Sequence, residues 1–316
     1  MGKITLREIP SNNPLIVIIG PTASGKTDFS LKLYEQIDCE IISADSRQVY
    51  KYLDIGTAKP SREILKSYKH HLIDFLNPDQ DFSAGQFVHQ SREIIQNLYR
   101  QNKVPLIVGG TGLYIDVLCK GIVELSPEKE DKSMRESLNV YLETKGRDYL
   151  YNLLVEIDKV SADKYSDKNP RRITRALEFF YQTGIKFSEA HKKFTQESDF
   201  TVYYFAIDFK RDTLYSRINQ RSRQMWNNGI IEETQDILNR GYSPKLNSLN
   251  TVGYKEVIKY LNKELTNNEA LEEMMKNTRR YAKRQLTWFR RNTKIHWILP
   301  ELIDKFIIYD FVINQK

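Results

Sequence analysis

The chain has little cysteine and no long apolar run, and both shortages narrow what it can be. Cys39 and Cys119 are its two cysteines, and neither stands in a CxxC or Cys/His spacing. That argues against a disulfide framework or a zinc site and for a reducing compartment, with both thiols free of any disulfide. The apolar run Leu15 to Ile19 is far too short to span a bilayer, and the residues before it, with Arg7, Glu8 and Pro10, show no small-residue cleavage pattern. A cytoplasmic protein without membrane contact is the expectation. Repeats and low-complexity tracts are absent as well.

What is present is material for a core. Of 316 residues, 40% are apolar and 28% charged, with 19 Tyr and 14 Phe; such a chain folds by itself, most naturally as one α/β domain with a smaller one attached. The net charge of +7 is concentrated: between Arg279 and Lys294 lie seven Lys or Arg and no acid, interleaved with Tyr281, Trp288 and Phe289. A polyanion-binding helix and a solvated amphipathic helix both fit that stretch.

Leu15 to Ile19 reads as a buried strand, followed by a glycine-rich turn and a helix with Phe29, Leu33 and Ile37 at helical spacing. Glu40 to Ile42 and Val104 to Val108 read as further strands of one parallel sheet, with a helix from about Ala84 to Arg100 between them. After Gly121 the pattern changes. A charged, Pro-containing stretch from Leu125 to Ser133 leads into helical periodicity as far as about Lys193. Strand character returns at Thr201 to Ile207, and Asp212 to Arg291 is again helical, with Asp212 as a plausible N-cap. The expectation is a P-loop-type α/β core, 1–121 with 199–316, carrying an all-helical insertion, 122–198, and a helical C-terminal part.

The segment Gly20-Pro21-Thr22-Ala23-Ser24-Gly25-Lys26-Thr27 is a complete G-x-x-x-x-G-K-[ST] match between a strand and a helix. Its backbone N–H groups and helix N-terminus suit phosphate oxygens, Lys26 neutralises charge, and Thr27 offers a hydroxyl to Mg²⁺. An ordinary P-loop nucleotidase ends a nearby strand with an Asp that holds the metal. Here Val104 to Val108 runs into Gly109-Gly110-Thr111-Gly112 instead, and the nearest carboxylate is Asp45, in Asp45-Ser46-Arg47-Gln48. Asp45 could order metal-bound water, cap a following helix, or act as a general base. In the segment Asn169 to Leu177, Ile173, Ala176, Leu177 and Phe180 form one apolar stripe, leaving Arg171 and Arg175 a turn apart on another face, which suits nucleic-acid phosphates. Arg217 and Arg221 are likewise four apart, with Gln224 a turn further, and could close over a diphosphate opposite Lys26. The paired His70 and His71 have no accompanying ligands and read as structural.

The motifs GPTASGKT, ISADSRQVYKYLDIGTAKP, HHLIDF, FSAGQF, VGGTGLY, NPRRITRALE, VGYKE and YAKRQLTWFRR occur in that order from about Ile16 to Arg291. Together they resemble the tRNA dimethylallyltransferases. The resemblance implies transfer of a dimethylallyl group from dimethylallyl diphosphate to N6 of adenosine 37, in tRNAs reading codons that begin with U, with Mg²⁺ assisting. It implies a P-loop core enclosing a channel for donor and extruded base, and a helical insertion that holds the anticodon stem-loop. Residue by residue, Asp45 matches the general base, Thr22 to Thr27 the diphosphate loop, Thr27 the metal-facing hydroxyl, and Arg217 an arginine on the leaving diphosphate. Ser46, Arg47, Gln48 and Thr111 match tRNA-contacting positions, as do Arg171, Arg172, Ile173, Thr174 and Arg175. Eukaryotic members carry a C-terminal zinc finger that is not present up to Lys316, so a bacterial-type, monomeric enzyme is expected. The rival reading is a small-molecule or nucleoside kinase, with ATP in the P-loop and Asp45 activating an acceptor hydroxyl.

Overall fold

In a computed structural model, which describes residues 2–121, 132–194 and 199–313, the chain divides into two compact units. The first comprises residues 1–119 and 199–316, the second residues 120–198.

The first unit is built on six parallel strands: β1 (Pro14–Ile19), β2 (Cys39–Ser43), β3 (His70–His71), β4 (Val104–Gly109), β5 (Thr201–Ile207) and β6 (Ile295–Ile298), in the order β3-β2-β4-β1-β5-β6. β1 lies in the interior of the sheet between β4 and β5, and all six of its residues are buried. A strand covered on both faces must be apolar throughout, which is why it reads as an unbroken run. Its side chains alternate between two cores. Leu15, Val17 and Ile19 pack with Phe87, Ile95 and Leu98 of α3 (Ala84–Arg100) and with Ile115 and Leu118 of α4 (Gly112–Lys120). Ile16 and Ile18 pack with Phe29 and Leu33 of α1 (Lys26–Gln36), and with Phe306, Ile308 and Val312 near the end of the chain. Ile37 does not extend α1 but sits just after it in extended conformation. α2 (Arg62–Ser67) leads into β3.

β3 and β6 have no counterpart among the strands expected from sequence. β3 is two histidines long, and both are structural: His71 Nε2 lies 2.7 Å from Glu40 Oε2, and His70 Nδ1 2.6 Å from the Tyr68 carbonyl. After β5, α9 (Arg211–Asn227), α10 (Ile230–Asn239), α11 (Tyr254–Leu261) and α12 (Asn267–Phe289) follow. The N-cap of α9 is Lys210, and Asp212 lies in the first turn, where its charge still favours the helix N-terminus.

The second unit contains α5 (Lys132–Ile157, broken at Gly146), α6 (Lys159–Lys164), α7 (Pro170–Thr183) and α8 (Phe187–Phe194). Of the stretch expected to open it, Leu125 to Ser133, residues up to 131 lie outside those described. Leu150, Leu154, Ile173, Ala176, Leu177 and Phe179 form its core. Phe179 takes the core place expected of Phe180, which is half-buried. Among the described residues, no helix is long and apolar enough to cross a membrane.

Candidate functional site

In an open parallel sheet the strand ends at one edge form the natural crevice. β1 ends there in the P-loop, β4 in Gly109-Gly110, and β2 in Ser43-Ala44-Asp45. Glycine at the end of β4 is a packing requirement, since a Cβ on Gly109 would lie 2.1 Å from the Ala44 carbonyl oxygen. The P-loop is tightly turned: Ala23 has φ 63° and Gly25, which caps α1, has φ 78°. Ser24 is 1% exposed, and among the described residues its buried hydroxyl has no hydrogen-bond partner, which leaves a donor for an anion.

A cavity of about 360 Å³ opens at this edge, a size that suits a small ligand. Lys26, Thr27, Asp45 and Arg221 share its wall with the apolar side chains of Ile218, Met225, Val252 and Met274. The lining thus offers both charged groups and apolar side chains to a ligand. Lys26 Nζ donates to the Pro21 carbonyl at 2.7 Å. Burial, reinforced by repulsion from Arg221 and opposed by Asp45, pushes the Lys26 ammonium down to about 8. Burial also lowers Arg221 below the usual guanidinium range, with Asp45 opposing and Arg217 reinforcing the shift. Lys26, Arg47, Arg221, Lys255 and Arg284 line the cavity with Asp45 as the acid among its described wall residues, an excess of positive charge that suits an anion.

Arg217 is placed differently from Arg221. It lines an adjoining groove, with Gly25, Gln220, Arg221 and Gln224, that shares Ala23, Lys26, Thr27, Ala58 and Arg221 with the cavity. Its Nε donates to the Ala23 carbonyl at 2.9 Å and its guanidinium stacks 4.8 Å from the Phe209 ring centre. Asp45 Oδ1 accepts from the N–H groups of Arg47 (2.8 Å) and Gln48 (3.3 Å), so it caps a turn, not a helix, and keeps its second oxygen for other use. Thr111 Oγ1 accepts from Ser46 N at 3.0 Å, and Arg47 Nη1 donates to the Asn247 carbonyl at 2.6 Å. The Gln48 amide nitrogen is spent on the carbonyls of Thr57 (3.1 Å) and Ala58 (3.0 Å), anchoring the loop that roofs the cavity.

The arginine helix, α7, lies in the second unit. Arg171 and Arg172 are exposed, and Arg175 pairs at 3.0 Å with buried Glu178, which also binds Arg135 at 2.9 Å. Ile173 (0% exposed) and Thr174 (8%) are core residues. Their side chains offer nothing to a ligand at the surface, which corrects the expectation for those two.

Several wall residues were not among the expected site. α12 contributes Thr278, Tyr281, Arg284 and Gln285, and the loop before α11 contributes Asn250 and Thr251. The spacing of Thr278, Tyr281 and Gln285, three and then four apart, marks one face of a helix and was the available signal.

A phosphate loop at the edge of a parallel sheet, facing a lone carboxylate across a cationic and partly apolar cavity, defines a P-loop group-transfer enzyme. Within that class the chain belongs to the tRNA dimethylallyltransferase family. The model of the family described as IPP transferase matches residues 48–292. A tRNA dimethylallyltransferase of Natranaerobius thermophilus is 42% identical over 97% of this chain and 92% of its own length, and one of Alkaliphilus oremlandii 41% over 90% of each. The crystal structure of a tRNA isopentenylpyrophosphate transferase of Bacillus halodurans is similar, with TM-score 0.70, 34% identity and 96% of each chain covered. A structure of a eukaryotic dimethylallyltransferase acting on tRNA gives TM-score 0.80 at 27% identity, covering 96% of this chain and 77% of that one.

Proposed function

We propose that the chain transfers the dimethylallyl group of dimethylallyl diphosphate to N6 of adenosine 37, in tRNAs that read codons beginning with U. The product is N6-isopentenyladenosine, and diphosphate leaves. The carrying observation is that Lys26, Thr27 and Arg221 share one cavity with Asp45. In the reaction the N6–C1 bond forms and the C1–O bond breaks, with the electron pair departing on the diphosphate and the N6 proton passing to Asp45. Leaving-group stabilisation is the main demand of such chemistry. The loop amides, Lys26, Arg221 and Arg217 would meet it, Arg217 from the adjoining groove that shares Lys26, Thr27 and Arg221 with the cavity.

The hydroxyl of Thr27 is a hard oxygen donor of the kind Mg²⁺ prefers, and it lines the cavity in which the diphosphate would rest. Thr27 would hold the ion together with phosphate oxygens, and the ion would neutralise charge on the leaving group. Ser46, Arg47, Gln48 and Thr111, close to Asp45 in the sequence or through the Ser46–Thr111 hydrogen bond, would contact the incoming tRNA. Arg171, Arg172 and Arg175 are offered to the anticodon stem through their charge. An extruded adenine costs a few kcal/mol of unstacking, which phosphate contacts offset.

The test uses unmodified tRNA with either labelled dimethylallyl diphosphate or labelled ATP. Label should enter tRNA from the prenyl donor alone. Phosphoryl transfer from ATP to a nucleoside or small molecule, with no prenylated tRNA, would establish the kinase reading instead.

A further inference from the structure

Gln285 is 7% exposed on α12, and its carboxamide makes two bonds to the backbone of two different loops. Its oxygen accepts from Thr22 N at 2.9 Å and its nitrogen donates to the Gly110 carbonyl at 2.9 Å. An amide has one acceptor end and one donor end, and these partners use each in its proper sense. Gly110 is shaped for the contact, because a Cβ there would lie 2.4 Å from Gln285 Nε2.

The two anchored loops are the two halves of the site. Thr22 belongs to the P-loop. Gly110 is followed by Thr111, whose N–H donates to the Ala44 carbonyl at 3.2 Å and whose hydroxyl accepts from Ser46 N at 3.0 Å, so that Asp45 is bracketed on both sides. Hydrogen bonds through Gln285, followed by the Gly110–Thr111 backbone and the hydrogen bonds of Thr111, therefore link the diphosphate loop to the Asp45 turn. The neutral amide lies among Lys26, Lys255, Arg221 and Arg284 on the cavity wall. Anion binding has cations enough there, which leaves geometry as its contribution.

We infer that Gln285 is a positioning residue that sets the spacing between the P-loop and Asp45, and so holds the donor's C1 in register with the base that takes the N6 proton. This rests on the transfer reading above. Misplacement of reacting groups by about 1 Å costs on the order of a hundredfold in rate without a comparable loss of binding.

The experiment compares the full-length wild type, Gln285→Met, Gly110→Ala and the double variant, with labelled dimethylallyl diphosphate and unmodified tRNA. Methionine fills the same space without either hydrogen bond, and alanine at position 110 pushes the amide away from the opposite end. If the wild type transfers no label, the functional reading fails before the variants are considered. If it does, each single variant should lose kcat by roughly tenfold to a hundredfold, with Kd for donor and for tRNA within about threefold of wild type. The double variant should be no worse than the poorer single, because both break one linkage. Wild-type kcat in Gln285→Met, a loss confined to donor or tRNA Kd, or multiplicative losses in the double variant would each overturn the inference. Should Gln285→Met fail to fold, Gln285→Glu keeps the acceptor for Thr22 but not the donor to Gly110. It must show the same kcat loss, and wild-type turnover would be equally fatal.

Discussion

The ring of Tyr254 occupies the space that a side chain at Gly56 would need. A Cβ on Gly56 would lie 2.5 Å from the ring, which is itself fully buried. The Tyr254 hydroxyl donates to Glu233 Oε1 at 2.6 Å, and the same carboxylate accepts from the N–H groups of Asp54 (3.0 Å), Ile55 (2.7 Å) and Gly56 (3.1 Å). Lys59 secures the far end of this loop, donating to the Tyr50 carbonyl at 2.7 Å. Gly56, Thr57 and Ala58 in turn line the cavity.

The loop's rigidity is therefore testable at one atom. Gly56→Ala should destabilise the protein by about 1–3 kcal/mol through overpacking and weaken donor binding, because the cavity wall must move. Tyr254→Phe removes one of the four bonds to Glu233 and should cost about 1–2 kcal/mol with little change in donor Kd. Denaturant titration and donor binding on both variants check the pair. Equal stability of Gly56→Ala and wild type would mean that the loop is free to yield.

Asp45 is both a turn cap and the proposed base, and the substitution Asp45→Asn separates the two roles. The carboxamide oxygen of that variant can still accept from the N–H groups of Arg47 and Gln48, so the turn survives, but a neutral amide cannot take the N6 proton. Asp45→Asn should lower kcat by about 10²–10⁴-fold while tRNA Kd stays within a few-fold. Single-turnover kinetics with a tRNA-binding assay measure both. Turnover near the wild-type rate would remove Asp45 from the chemistry.

Lys26 gives a pH dependence with a definite sign. Its ammonium titrates near 8 in the free enzyme because burial and Arg221 disfavour the charge; a bound diphosphate favours it, so binding raises that value. Donor affinity should be flat below about pH 8 and fall at higher pH, by up to about tenfold per unit. Between about pH 8 and 9, binding should be accompanied by proton uptake, readable by calorimetry in buffers of different ionisation enthalpy. Affinity constant to about pH 9.5 would place the Lys26 proton elsewhere. Lys26→Ala should cost on the order of 10²–10³-fold in kcat.

The parts of this molecule written in local sequence were readable, and the parts set by pairing at a distance were not. β1, the P-loop and α1 could be placed because an apolar run, a turn signature and a helical stripe follow one another within a short span. β6 is four residues, Ile-His-Trp-Ile, directly after a basic helix, and exists because the edge of β5 needs a partner. β3 is a pair of histidines, whose polar character hides a strand. In α7 the helical period was right, yet Phe179 and not Phe180 entered the core, because α8 supplies Phe187 as its neighbour at 5.3 Å. Gln285 illustrates the same limit in the site: it meets Thr22 across 263 residues of chain, inside a run whose charges draw the eye.

The arginines of α7 differ in what holds them, so charge removal should have separable effects. Arg171 is exposed, and Arg172 lies 3.6 Å from Asp167 in a half-exposed pair, an interaction worth about 0–1 kcal/mol. Arg175 shares with Arg135 the carboxylate of Glu178, which is 5% exposed. If Arg171 and Arg172 meet tRNA phosphates, alanine at either should weaken tRNA binding and reduce the slope of log K against log salt by about 0.7–0.9, with the thermal midpoint unchanged. Arg175→Ala removes a partner from a buried charge and should also destabilise the helical unit by about 1–3 kcal/mol, seen as faster amide exchange in α5 and α7. Arg135→Ala should reproduce the destabilisation. A salt slope unaltered in Arg171→Ala and Arg172→Ala alike would show that this face of α7 carries no phosphate, and tRNA would then have to be held elsewhere, the basic end of α12 being the next surface to neutralise.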